Sequence, residues 1–264
     1  MWTSVLSISL LASILVYTYH VLANFQQPST IKSKQVLILT AHPDDECMFF
    51  GPTITALRSG SSKTRVHVLC LSTGNADGLG MTRKKELTRS CQVMGIPPSN
   101  VKALDHEGLQ DGMKNTWSPT LIADILKDYV SKHKIDTIIT FDDYGVSGHP
   151  NHVAAYNGAK HFIQKESCKN ENNKIKLFKL SSILLPRKYI GIGDLIYMAI
   201  EQRLFGHKQD NEDIVFVSSP INYLVTHKAM RRHDSQLVWF RWLYVTFSRY
   251  MFVNQLVAVI PSPV

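Results

Sequence analysis

Two short segments of this 264-residue chain are dense in histidine and carboxylate side chains. They are residues 41–46 (AHPDDE) and residues 142–152 (DDYGVSGHPNH). Imidazole and carboxylate groups are common zinc ligands, and a catalytic zinc keeps three protein ligands and one open position. The adjacent carboxylates Asp44 and Asp45 allow a division of labour, because one can bind metal while the other takes a proton from water. Together the segments predict a metal site that activates water.

Each segment has an ordinary structural explanation when it is considered alone. An Asp-Asp pair after a strand is often a helix N-cap that interacts favourably with the helix dipole. Two histidines three residues apart can simply be hydrogen-bonded within the fold. The metal site is favoured only because both segments occur in one chain, each after an apolar run.

The elements that must position these segments are short apolar runs alternating with helical patterns. Residues 35–40 (QVLILT) form a continuous apolar run, which is typical of a strand buried on both faces. Further strands are predicted over residues 65–72, 101–105, 136–141, 182–185 and 214–217. Helices are predicted over residues 46–59, with a kink or restart at Gly51-Pro52, and over residues 83–94, 119–133 and 151–162. The alternation predicts a Rossmann-like α/β fold, with a mostly parallel sheet and helices on both faces.

This fold also predicts where the site lies. The first charged segment follows the first predicted strand, and the second follows the fourth. Ligands of open α/β sheets bind beyond the carboxyl ends of the strands, at a switch point in strand order. We therefore expect the two segments to meet at one edge of the sheet.

The composition is that of a packed globular protein. Hydrophobic residues make up 44% of the chain and charged residues 19%, which excludes disorder as the main state. Four cysteines without CxxC spacing are too few for a disulfide scaffold and are expected to be reduced. The net charge of +8 suits an anionic membrane surface or nucleic acid. No zinc-finger, RNP or helix-turn-helix pattern is present, so no nucleic-acid partner is expected.

The N-terminal segment, residues 1–31, contains no Lys, Arg, Asp or Glu. Its apolar run over residues 2–25 has the length of a membrane-spanning helix. A cleaved signal peptide is the alternative, but the basic n-region and the A-x-A cleavage site of such peptides are missing. Lys32 and Lys34 follow the run, and the positive-inside rule then places residues 32–264 in the cytosol. The expected organisation is a single-pass anchor followed by one catalytic domain.

The paired motifs resemble those of the PIG-L/LmbE-like zinc deacetylase family. The eukaryotic membrane branch is matched further by residues 71–91 (LSTGNADGLGMTRKKELTRSC), 145–152 (GVSGHPNH) and 233–244 (HDSQLVWFRWLY). The resemblance covers roughly residues 36–250. It implies hydrolysis of the N-acetyl group of N-acetylglucosaminyl-phosphatidylinositol, an early step of glycosylphosphatidylinositol (GPI) anchor synthesis. It also implies an endoplasmic reticulum membrane location and a Zn²⁺ cofactor, although His and Asp ligands also suit other divalent metals.

The resemblance implies a role for each residue that matches the family motifs. His42, Asp45 and His152 correspond to the three metal ligands. Asp44 corresponds to the general base, and His149 to the histidine that stabilises the oxyanion or protonates the leaving amine.

Other positions match the family less closely. Arg83 and Asp111 correspond loosely to substrate-binding positions, and His233 is expected at the rim of the site. From its spacing, Asp142 is a candidate to orient His149. Asn151 stands where many members have Asp, which affects the hydrogen bonding that orients His152.

Alternative functions remain open from the sequence. The chain could deacetylate another N-acetylglucosamine conjugate, or it could be a membrane-tethered glycolipid-binding protein without activity. A nucleotide-binding domain is disfavoured, because no G-x-G-x-x-G follows the first strand. Residues 189–205 and 237–260 could pack on the sheet or lie against a membrane.

Overall fold

The computed structural model describes residues 2–25, 31–59, 64–167, 175–205 and 213–260. Within these residues, one sheet has the strand order β3-β2-β1-β4-β5-β7-β6. The strands are β1 (Gln35–Thr40), β2 (Arg65–Cys70), β3 (Val101–Ala103), β4 (Thr137–Thr140), β5 (Lys176–Leu180), β6 (Ile214–Val217) and β7 (Val253–Ala258). Strands β1 to β5 pair in parallel, whereas β7 is antiparallel to both of its neighbours. The prediction of a mostly parallel sheet is confirmed.

Helices flank this sheet in two groups, with α5 against α7 and α10 against α3 and α4. The helices are α1 (Trp2–Phe25), α2 (Asp45–Met48), α3 (Gly51–Ser59), α4 (Gly80–Val93), α5 (Pro119–His133), α6 (Gly145–Gly148), α7 (Pro150–Ser167), α8 (Leu185–Lys188), α9 (Gly193–Phe205), α10 (Pro220–Met230) and α11 (Trp239–Phe247). Strand β1 lies in the interior of the sheet, and its residues from Val36 to Thr40 are fully buried. That burial is why its sequence is a continuous apolar run rather than an alternating one.

The helix predicted over residues 46–59 is divided into α2 and α3. Phe49 ends α2, and α3 starts at the Gly51-Pro52 pair. Proline lacks the N–H that a helix interior uses, but it suits the first turn of a new helix. The break separates the short turn that carries Asp45 from the longer helix that packs against α10.

The C-terminal third differs most from the predicted pattern. No strand covers residues 182–185, because β5 lies earlier and Leu184 and Leu185 are exposed at the start of α8. Strand β7 was not predicted, since it adds to the sheet in the antiparallel direction within the aromatic segment 237–260. Helix α7 ends at Ser167 and β5 begins at Lys176, and residues 168–174 lie outside the described ranges.

The N-terminal segment forms the expected helix, α1, but a membrane-spanning helix is not supported. Among the described residues, no helix combines the length and hydropathy that crossing a bilayer requires. The apolar run of α1 is diluted by several Ser and Thr residues and by His20. Near its C-terminal end, the Tyr19 hydroxyl donates a hydrogen bond to the Ser218 carbonyl, and the Tyr19 ring packs edge-on against Phe252. This end of the helix therefore contacts the residues that adjoin β6 and β7.

Candidate functional site

The two charged segments meet at the carboxyl ends of β1 and β4. These strands are neighbours in the sheet, so residues that follow them emerge side by side. The His42 ring centroid lies 4.7 Å from that of His149 and 5.4 Å from that of His152. The expected meeting of the two segments is confirmed.

Asp45 is the carboxylate at the centre of this group. Its Oδ2 atom accepts hydrogen bonds from the backbone N–H groups of Ala41, at 3.0 Å, and His42, at 2.8 Å. Its Oδ1 atom lies 3.3 Å from Nε2 of His152. Burial opposes ionisation here, but the facing His152 outweighs burial and lowers the pKa of Asp45. The lowered pKa keeps the carboxylate ionised, and the two backbone N–H groups that precede it fix its orientation.

His152 is oriented by the glycine turn of the second segment. Its Nδ1 atom lies 3.0 Å from the Gly145 carbonyl, and its ring stacks on Phe141 at a centroid distance of 4.0 Å. Because Nδ1 must donate to a carbonyl, the neutral ring presents its lone pair at Nε2, toward Asp45. Gly145 has φ +65°, and a Cβ atom there would lie 2.7 Å from the His152 Cβ. Only glycine leaves room for this ring.

His42 presents the opposite nitrogen. Its Nε2 atom lies 3.0 Å from Oδ1 of Asp111 and 3.1 Å from Oδ1 of Asn151, so Nε2 carries the proton. Its Nδ1 lone pair remains, 3.8 Å from Oδ2 of Asp45. In the neutral-ring form that metal binding requires, the lone-pair atoms of His42, His152 and the Asp45 carboxylate face one another. Such atoms repel unless a cation lies among them, so this donor set fits a divalent metal.

His149 completes a group of three histidines whose ring nitrogens lie within 4.8 Å of one another. Its Nδ1 atom accepts a hydrogen bond from the Asn151 backbone N–H at 3.2 Å. The neutral ring therefore carries its proton at Nε2, where it can donate. Burial, followed by the neighbouring His42 and His152, lowers the pKa of His149 to about 4.

Asp44 lies beside the ligand group in a strained backbone conformation. Its φ angle is 113°, a region that non-glycine residues rarely adopt. Its backbone N–H donates to Oε2 of Glu46 at 3.0 Å. Its Oδ2 atom is buried and forms ion pairs with Arg241, at 3.2 Å, and Arg83, at 3.7 Å, but no hydrogen bond of good geometry among the described residues. Burial raises the pKa of Asp44, although Arg241 and Arg83 oppose the rise. A buried carboxylate with a raised pKa suits a general base.

Glu46 supports the backbone of Asp44. This role was not predicted from the sequence, where Glu46 appears only as part of the AHPDDE motif. Its Oε1 atom accepts hydrogen bonds from Ser90, at 2.5 Å, and from Nε2 of His233, at 2.8 Å. Glu46 and His233 have no exposed surface. The predicted position of His233 at the rim is therefore wrong, because the helix α10 that precedes it packs against α2 and carries it beneath the site.

Arg83 and Asp111 are both brought to the site. Arg83 is buried and donates to the carbonyl oxygens of Gly74, at 2.9 Å, and Pro43, at 2.7 Å. Its guanidinium also lies 3.8 Å from Oδ2 of Asp111. Burial opposes ionisation of Asp111, but the hydrogen bond with His42 outweighs it and lowers the pKa. Contact of Arg83 and Asp111 with substrate stays a prediction.

The predicted role of Asp142 as the partner of His149 is wrong. Its carboxylate instead accepts hydrogen bonds from the backbone N–H groups of Tyr144 and Gly145 and from the backbone and hydroxyl of Ser182. A short carboxylate that directly follows a strand is within reach of its own turn, and this turn uses it. Asp142 thus shapes the loop that carries the histidines.

Asn151 supports a histidine, but not the expected one. Its Oδ1 atom faces His42, and its Nδ2 atom donates to the Asn115 carbonyl at 3.4 Å. His152 is held by Gly145. Asn151 therefore connects His42 to the loop that contains Asp111, because the Gly112 N–H also donates to it.

Comparisons with known proteins agree with this site. The family described as PIG-L: GlcNAc-PI de-N-acetylase matches residues 37–163, which include both charged segments. A Bos taurus protein named N-acetylglucosaminyl-phosphatidylinositol de-N-acetylase is 40% identical over 222 residues, or 84% of this chain and 82% of the relative. A Schizosaccharomyces pombe protein named "Probable N-acetylglucosaminyl-phosphatidylinositol de-N-acetylase" is 38% identical over 93% of this chain and 96% of its own length.

A solved structure shares the fold at low sequence identity. The N,N'-diacetylchitobiose deacetylase from Pyrococcus horikoshii aligns with a TM-score of 0.60 and 17% identity, over 87% of this chain and 85% of that protein. At this identity the alignment supports the α/β fold alone. The sequence relatives carry the assignment further: this chain belongs to the PIG-L, GlcNAc-PI de-N-acetylase, family.

Proposed function

We propose that this protein hydrolyses the N-acetyl group of N-acetylglucosaminyl-phosphatidylinositol, releasing acetate and glucosaminyl-phosphatidylinositol in GPI-anchor biosynthesis. The observation that carries the proposal is the joint placement of His42, Asp45 and His152 beside the buried Asp44 carboxylate. The names of the sequence relatives supply the substrate, and the site supplies the chemistry.

The proposed cofactor is Zn²⁺, held by His42, Asp45 and His152. The proton positions support this set over one that includes His149. The Nδ1 lone pair of His149 accepts a backbone N–H, and its Nε2 atom carries the proton, so neither nitrogen offers a free lone pair. When bound, the metal supplies Lewis-acid polarisation and lowers the pKa of water.

The protein residues divide the remaining work. Asp44 takes the proton from the attacking water at its carboxylate, for which its raised pKa is suited. His149 donates a hydrogen bond from Nε2 to the acetyl oxygen as negative charge develops there. Asp44 then returns the proton to the sugar nitrogen as the C–N bond breaks. Water is consumed, and acetate and the free amine are the products.

Acetate release from N-acetylglucosaminyl-phosphatidylinositol in detergent tests the proposal. The protein is chelated, restored with Zn²⁺, and compared with Asp44→Asn and His152→Ala. Asp44→Asn should keep the metal and lose about 10²–10⁴-fold in kcat, which is the usual contribution of a general base. His152→Ala should lose both the metal and the activity, as measured by mass spectrometry of bound metal and by acetate assay.

Two results would contradict this assignment. A metal-replete His152→Ala protein with near-normal turnover would remove His152 from the ligand set. No acetate from folded, zinc-loaded wild-type protein would overturn the substrate, and release from another N-acetylglucosamine conjugate would identify the alternative. Glycolipid binding without any hydrolysis would indicate a binding protein.

The proposed location is the endoplasmic reticulum membrane, where the lipid substrate of the named relatives would be met. Exposed apolar side chains on α9 and α11 support contact with a membrane. The division at residue 31 and the cytosolic orientation stay predictions. Protease treatment of intact microsomes tests the orientation, because a cytosolic domain is digested and a lumenal one is protected.

A further inference from the structure

Arg241 extends from α11 to the proposed general base. Its Nη2 atom lies 3.2 Å from Oδ2 of Asp44, and its Nη1 atom contacts the Met48 sulfur. Its Nε donor is buried and has no hydrogen-bond partner within the described part of the chain. The side chain is 24% exposed, so it links the buried Asp44 carboxylate to the protein surface.

The two arginines beside Asp44 differ in the acceptors of their terminal nitrogens, whereas Nε has no hydrogen-bond partner among the described residues in either. Arg83 gives both terminal nitrogens to backbone carbonyls, at Gly74 and Pro43. A guanidinium has five N–H donors, and a thioether sulfur is only a weak acceptor. Arg241 therefore keeps its Nη1 donors for a further anion, whereas both terminal nitrogens of Arg83 are committed to backbone carbonyls.

The outer face of α11 is apolar and exposed. Trp239 is 75% exposed, Phe240 51% and Leu243 51%, while the Tyr244 hydroxyl on the inner side donates to the Met48 carbonyl at 3.1 Å. One short helix thus places a cation at the site and aromatic side chains in solvent. Arginine beside exposed tryptophan is typical of surfaces that lie at a lipid interface.

Building on the proposed function, we infer that Arg241 binds the phosphodiester of the glycolipid substrate, while the outer face of α11 contacts its acyl chains. Phosphate is the anion that the proposed substrate carries next to its inositol. Guanidinium groups bind phosphate oxygens through paired, charge-assisted hydrogen bonds. Arg241 is thereby a specificity residue, which separates phosphate-bearing lipids from phosphate-free amino-sugar conjugates.

Three substrates separate the contributions of phosphate and lipid. They are N-acetylglucosaminyl-phosphatidylinositol, its soluble analogue with the inositol phosphate but no acyl chains, and N-acetylglucosaminyl-inositol without phosphate. Acetate release gives kcat and KM for wild type, Arg241→Gln, Arg241→Lys and Trp239→Ser. Arg65→Gln is the matched control, because this exposed arginine begins β2, at the opposite end of the strand from the site.

Arg241→Gln should raise KM about 10- to 100-fold for both phosphate-bearing substrates relative to the phosphate-free one, which corresponds to one charged hydrogen bond. Arg241→Lys should recover part of this loss, since it keeps the charge but not the paired donors. Trp239→Ser should raise KM only for the acylated substrate, and Arg65→Gln should leave the KM ratios unchanged.

Equal losses of kcat on all three substrates would overturn the inference, since Arg241 would then act only through Asp44. An unchanged KM ratio in Arg241→Gln would overturn it as well. Failure of the wild-type protein to release acetate from any of the three would instead count against the proposed function. The two failures are therefore distinguishable.

Discussion

The Nε2 atom of His233 lies 2.8 Å from Oε1 of Glu46, and both side chains are fully buried. The same carboxylate accepts the backbone N–H of Asp44, the residue with the strained φ angle. Removing one member of a buried charged pair leaves the other uncompensated, which costs about 3–5 kcal/mol. The pair therefore couples stability of the fold to the geometry of the base.

We expect His233→Ala to lower the free energy of unfolding by about 3–5 kcal/mol in urea titrations. Arg89→Gln is the control, because it breaks the exposed ion pair with Asp234 and should cost about 1 kcal/mol or less. If the two variants lose equal stability, Glu46 does not depend on His233. Should His233→Ala fail to fold, His233→Gln measures the same contact.

Gly74→Ala should disturb Arg83 and the activity together. A Cβ at Gly74 would lie 2.5 Å from Nη1 of Arg83, and the φ angle of Gly74 is +66°. The guanidinium must then shift away from the Gly74 carbonyl and from Asp111, and a displacement of about 1 Å at a site can cost 10²-fold in rate. The measurement is kcat of acetate release, together with thermal unfolding.

Gly78→Ala is the matched control for this variant. Its φ angle is +74°, but no heavy atom lies within 4 Å of the added Cβ. It should therefore show the backbone penalty of about 1–2 kcal/mol without the loss of kcat. Equal kcat values for the two variants would mean that the Arg83 position does not matter for catalysis.

Stability should fall between pH 7 and pH 5 because of His67. Burial, together with His133 and Arg65, lowers the pKa of His67 to about 4, against about 6.5 in an unfolded chain. The unfolded chain therefore takes up a proton first as the pH falls, and stability present above pH 6.5 is lost. This group contributes a loss of about 2 kcal/mol by pH 5.

Urea unfolding of wild type and His67→Gln at pH 7 and at pH 5 tests the contribution of His67. The substitution should remove about 2 kcal/mol of the pH-dependent change. It keeps a polar side chain beside Gln35, the hydrogen-bond partner of His67 at 3.1 Å. An identical pH dependence in the two proteins would show that the pKa of His67 is the same in the folded and unfolded chains.

Three cysteines should resist alkylation in the native protein. Cys47, Cys70 and Cys91 are free and buried, and burial raises the pKa of each thiol well above its usual range. Iodoacetamide reacts with the thiolate, so these residues should be modified only after unfolding. Peptide mass spectrometry before and after denaturation checks this. Modification of any of the three under native conditions would contradict the described packing.

Local features of this protein could be predicted from its sequence. Strand β1 coincides with the apolar run at residues 35–40, because a strand in the middle of a parallel sheet is buried on both faces. The histidines and carboxylates of both segments could be assigned from motif and spacing. Their convergence follows from a general rule, since parallel neighbouring strands end at the same edge.

Contacts between distant segments were decided only by the tertiary structure. Glu46 and His233 are 187 residues apart, and Arg241 reaches Asp44 from a segment predicted to pack on the sheet or lie against a membrane. The Asp142 carboxylate, by contrast, accepts hydrogen bonds from its own turn rather than from His149. Which distant groups meet depends on how α10 and α11 pack around the sheet, and that packing is set by buried shape and area. Sequence spacing carries no information about such distances.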